Sequence, residues 1–149
     1  MNPAVNAIAG RLSLRKPQRE ALEILDRIAE LIPLEKDADP AAALAAVQTA
    51  FPQVTDFERE FPSVCFALAT GVGKTRLMGT FIAYLAIAHR KRNFFVLAPN
   101  LTIYDKLIAD FTPNTPKYVF QGLAEFAVEL PRIITGDDYD QHDPLSGTL

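Results

Sequence analysis

One stretch of the chain has residues whose types and spacing can do chemistry: Ala69-Thr70-Gly71-Val72-Gly73-Lys74-Thr75. Two glycines one residue apart open backbone angles closed to other residues, so successive N–H groups can converge on an anion. The predicted helix that starts at Lys74 adds the positive end of its dipole. A lysine followed by a hydroxyl residue completes the set. Lys74 can reach the β- and γ-phosphates of a nucleotide, and the Thr75 hydroxyl can ligate Mg²⁺. The expected ligand is therefore ATP with Mg²⁺, held by Thr70, Gly71, Val72, Gly73, Lys74, Thr75 and Arg76, with Lys74 and Thr75 acting on the phosphates themselves. The strict form of this loop begins with glycine, and here Leu68 stands in that place.

Such a loop needs a strand before it and a helix after it. Ser63-Val64-Cys65-Phe66-Ala67-Leu68 is a short apolar run between Pro62 and the glycines, the pattern of a strand buried on both faces of a parallel sheet. Asn93 to Ala98 reads as a second such strand, Lys117 to Phe120 as a third, and Arg132 to Thr135 as a fourth. Helices are predicted over Pro17–Ile32, Pro40–Ala50, about Lys74–Ala88, Leu101–Phe111 and, as a short piece, Gly122–Leu130, from apolar positions three and four apart. Pro17 suits a first helical turn, and Asp39 suits an N-cap. Alternating strands and helices predict an α/β class with a parallel sheet and right-handed crossovers.

The chain has 149 residues, 49% hydrophobic and 22% charged, with a formal net charge of −3. That is a globular composition without a global basic signature for nucleic acid. A single cysteine, Cys65, rules out an internal disulfide framework, and it is expected inside the first buried strand. With no signal-peptide pattern, and with its longest apolar stretch (81–88) shorter than the about 20 residues a span needs, the expected setting is cytoplasmic, away from membranes.

The loop, read with two further segments, resembles a known family. Ala69-Thr70-Gly71-Val72-Gly73-Lys74-Thr75 resembles motif I of superfamily-two helicases, and an aliphatic residue before Ala-Thr-Gly is familiar from the Res subunits of type III restriction enzymes. Leu14-Arg15-Lys16-Pro17-Gln18-Arg19-Glu20-Ala21-Leu22 resembles the upstream glutamine motif, which implies that Gln18 reads the adenine edge. Its amide has the required donor and acceptor. Leu97-Ala98-Pro99-Asn100-Leu101-Thr102-Ile103-Tyr104-Asp105-Lys106 resembles motif Ia, which implies DNA-backbone contact through Asn100, Thr102 and the N–H groups of that helix start. Asn100 would equally serve as a plain helix cap.

The resemblance implies a partial RecA-like P-loop NTPase domain, with residues 1–62 as an N-terminal helical segment carrying the glutamine motif and 63–149 as an incomplete first motor lobe. It implies an ATP-dependent helicase or translocase of a restriction–modification system, with double-stranded DNA and a modification methyltransferase subunit as partners. No Asp-Glu-x-His or Asp-Glu-Ala-Asp box, second lobe, arginine finger or nuclease segment is found in the 149 residues. The expectation is thus an N-terminal piece of a longer motor, near-inactive alone, since an arginine finger contributes about 10³–10⁵ in kcat. Two other readings stay open: a P-loop ATPase that does not act on nucleic acid, and a catalytically inactive nucleotide- or partner-binding module.

Three other clusters attract weaker readings. Asp137, Asp138, Asp140, His142 and Asp143 form an acidic tail whose spacing matches no calcium loop. His89-Arg90-Lys91-Arg92 suits a helix C-terminus. Arg11, Arg15, Lys16 and Arg19 make the N-terminal region locally positive and are read as a solvated face.

Overall fold

The computed structural model describes residues 2–139. Six helices run along them: α1 (Pro3–Arg11), α2 (Lys16–Leu31), α3 (Pro40–Ala50), α4 (Lys74–His89), α5 (Leu101–Phe111) and α6 (Glu125–Val128). The chain divides into two compact units, one up to Phe94 and the other from Phe95 onward.

In the first unit α1, α2 and α4 contact one another, and α3 packs on α2. Helix α1 begins at Asn2, whose side chain accepts the Ala4 N–H at 3.0 Å, and Pro3 fills the first turn. It buries Val5, Ile8 and Ala9, three and four residues apart. Helix α2 buries Ala21, Leu22, Ile28 and Ala29, and α4 buries Leu77, Ala83 and Tyr84. The lower part of α2 makes a second core with α3, in which Ile28 and Ile32 meet Ala43, Val47 and Phe57. Asp39 caps α3 by accepting the Ala41 N–H at 3.0 Å.

The second unit centres on Phe120. Its ring stacks on Phe126 at 4.1 Å and meets Phe111 and Tyr118 edge-on at 5.5 and 5.6 Å. The Val119 N–H donates to the Asp110 carbonyl at 2.8 Å, tying this cluster to the end of α5.

The predicted α/β class with a parallel sheet is overturned: no strand occurs among the described residues. Residues 117–120 fold into consecutive turns, with the N–H groups of Tyr118, Gln121 and Leu123 donating to the carbonyls of Thr115, Tyr118 and Phe120. Residues 63–68, 93–98 and 132–135 run without a ladder partner. A doubly buried strand needs a neighbour along its edge and cover on both faces. Here Cys65 is exposed rather than buried, and Phe95 and Leu97 lie open to solvent. The partial RecA-like sheet and its crossovers fall with the strands. The helix expectations fare better. Pro40–Ala50 and Leu101–Phe111 match residue for residue, and α2 and α4 match within a residue at each end.

Candidate phosphate-binding loop

The glycine loop opens α4 as its residue types require. Gly71 has φ +82°, and Gly73, the N-cap of α4, has φ +88° and ψ +56°. Both lie in the left-handed region that favours glycine. The first intrahelical bond of α4 runs from the Leu77 N–H to the Gly73 carbonyl at 3.1 Å. The N–H groups of the preceding helical residues therefore stand outside the helical ladder, as at any helix start. Lys74 and the two glycines are exposed, and Thr75 is half-buried.

The loop leans on α2. The Gln18 amide nitrogen donates to the Val72 carbonyl at 2.9 Å and to the Gly73 carbonyl at 3.1 Å. The Gln18 amide oxygen accepts the Arg15 N–H at 2.9 Å, capping the start of α2. Gln18 is 2% exposed. A Cβ added at Gly73 would lie 2.8 Å from the Gln18 amide nitrogen, which shows how tightly the two residues fit. The Arg15 guanidinium makes a longer contact, 3.4 Å, with the Gly71 carbonyl. Arg76 turns back to donate to the Leu12 carbonyl at 2.5 Å, tying the first turn of α4 to the end of α1.

The structure thus brings Gln18, the loop and the start of α4 together. Asn100 and Thr102 belong to the second unit. The Asn100 side chain accepts the Ile103 N–H at 3.0 Å and caps α5, and Thr102 is exposed. Of the acidic tail, Asp138 accepts the Thr135 hydroxyl at 2.8 Å, while Asp140, His142 and Asp143 lie outside the described residues. No group of three metal-ligating side chains occurs among the described residues. Mg²⁺ at the loop would take Thr75 as its protein ligand there, with the other ligands from phosphate oxygens and water. In the basic run, Lys91 donates to the Leu34 carbonyl and His89 meets Tyr84. Arg19 pairs with Glu23 at 2.9 Å and with Asn6, and Lys16 lies 3.8 Å from Glu20, as a solvated face should.

Sequence reading missed a buried polar chain behind the loop helix. The Tyr84 hydroxyl donates to Asp26 Oδ1 at 2.7 Å and meets His89 Nε2 at 2.9 Å. The Asn2 N–H reaches the other Asp26 oxygen at 3.3 Å. Burial, then the Asp26 hydrogen bond and charge, push the Tyr84 hydroxyl far above its ordinary pKa. The available signal was Asp26 itself, a carboxylate set four residues after Leu22 on the apolar face of α2.

A family model of the type III restriction enzyme res subunit matches residues 11–144. This chain belongs to that family. The match covers the glutamine segment, the glycine loop and α5 together, and membership supports a helicase-like, restriction-subunit role. Searches of curated proteins and of solved structures gave no match. No helix of the described residues is long and apolar enough to cross a membrane.

Proposed function

We propose that this chain is the ATP-binding part of a restriction-system DNA translocase, and that the glycine loop holds the nucleotide's phosphates. The observation that carries the reading is the loop geometry. Two left-handed glycines lead into a helix whose first residues are Lys74 and Thr75, with Lys74 open to solvent. In this reading the loop N–H groups and the dipole of α4 bind the phosphate oxygens. Lys74 places its ammonium on the β- and γ-phosphates, and the Thr75 hydroxyl joins the Mg²⁺ shell. In this reading the chain is part of a cytoplasmic subunit that moves on double-stranded DNA and works with a modification methyltransferase subunit, and membership in the type III res family supports that reading. Asn100, Thr102 and the start of α5 would touch the DNA backbone, a contact that positions the strand and reads no sequence.

Calorimetric titration with ATP and Mg²⁺ tests the reading. Wild-type chain should bind, and Lys74→Ala should bind at least about tenfold more weakly, since a hydrogen bond to a charged group is worth about 1.5–3 kcal/mol. Lys74 is exposed, so circular dichroism of the variant should match wild type. Equal affinities in the two proteins would remove the loop from the phosphate site.

A further inference from the structure

The contacts of Gln18 suggest a role separate from reading a base. Its amide nitrogen is committed to two loop carbonyls and its oxygen to the Arg15 N–H, and the side chain is almost wholly buried. No cis peptide bond occurs among the described residues. In a trans peptide the C=O and the following N–H point in opposite directions within one plane. A bond that draws the Val72 carbonyl toward α2 therefore turns the Gly73 N–H away from α2. The bond to the Gly73 carbonyl does the same for the Lys74 N–H. Arg15, at the Gly71 carbonyl, acts in the same sense on the Val72 N–H. Three successive N–H groups are thus turned to one side, the arrangement that makes an anion-binding concavity. Any side chain at position 73 would press on the Gln18 amide and undo this.

We infer that Gln18 is a positioning residue for the phosphate loop: it pins the loop carbonyls from behind, so that the loop amides face a polyphosphate whatever base that polyphosphate carries. The inference deepens the nucleotide reading and rests on it for affinity, but the order of the loop can be tested without any ligand. Two variants separate the two jobs of the side chain. Gln18→Ala removes both the loop contact and the α2 capping bond. Gln18→Glu keeps an acceptor for the Arg15 N–H and removes the donors to Val72 and Gly73, so α2 stays capped while the loop is released.

The experiment measures backbone order parameters by ¹⁵N relaxation in the full chain without nucleotide, then the affinities of ATP, GTP and inorganic tripolyphosphate for wild type and Gln18→Ala. Gly71 and Gly73 should be near the rigid value of about 0.85 in wild type and below about 0.6 in both variants, with the α2 values unchanged in Gln18→Glu. The three ligands should weaken together in Gln18→Ala, by about tenfold, as expected for two lost hydrogen bonds to a buried amide. Unchanged order parameters at Gly71 and Gly73 in Gln18→Glu would overturn the inference. So would a loss confined to ATP, which would make Gln18 an adenine reader. Should none of the three ligands bind wild type, the nucleotide reading falls, and the order parameters still decide whether Gln18 holds the loop.

Discussion

Asp26, Tyr84 and His89 show how one acidic residue on an apolar face can organise three helices. Asp26 is buried, so its oxygens need donors. Tyr84 from α4 and the N–H of Asn2 at the start of α1 supply them. The single Tyr84 proton is spent on Asp26, so the hydroxyl oxygen must accept at its other contact, and His89 carries its proton on Nε2. Tyr84→Phe should destabilise the fold by about 1–3 kcal/mol in urea unfolding, the cost of leaving a buried acceptor short of a donor. The same residue sets an alkaline limit. Its neutral form is favoured in the folded chain, so an unfolded chain ionises first, near the ordinary value of 10.0. Stability contributed by the protonated hydroxyl is intact below that pH and is lost as pH rises beyond it. Unfolding followed from about pH 9 to about pH 11 should show stability falling in wild type and falling less in Tyr84→Phe. Some slope should remain, because burial also raises the pKa of Tyr118.

Among the elements, α5 carries the next prediction, because its cap and its proposed DNA contact involve one residue. Asn100→Ala should cost about 0.5–2 kcal/mol through loss of the bond to the Ile103 N–H. Asn100→Asp keeps a cap of similar strength and places a negative charge where a DNA phosphate would come. It should therefore unfold like wild type yet bind double-stranded DNA more weakly in a low-salt mobility shift. If both variants bind DNA as wild type does, Asn100 is a cap alone. The bounds of α3 and α5 were legible because each begins with a side chain that satisfies a helix N–H, at Asp39 and at Asn100. The same signal stood at Asn2-Pro3, followed by Val5, Ile8, Ala9 and Leu12, and α1 was missed although its residues spell it out. The loop was legible from Gly71 and Gly73, the residues for which positive φ costs least. Its attachment to α2 was not, since Gln18 and Val72 stand 54 positions apart in the chain and only folding makes their contact. The strands failed for a different reason. Apolar runs such as 93–98 report a preference for burial, but pairing depends on a partner elsewhere in the chain, and no periodicity names one.

For the molecule as a whole, the decisive quantity is the apolar surface left in water. In the second unit Phe95 is 89% exposed, Leu97 76% and Leu101 78%, within seven residues of chain. Single exposed apolar residues are common, but a contiguous run of large ones favours association. A formal net charge of −3 offers only weak repulsion against it. The chain should therefore bind a hydrophobic dye such as ANS and show concentration-dependent sedimentation. Replacing Phe95 and Leu97 together by serine should reduce both signals while leaving the far-ultraviolet circular dichroism unchanged, because neither side chain is buried and neither lies in a helix. A double variant that instead lost helical signal would mean that these side chains hold the fold together.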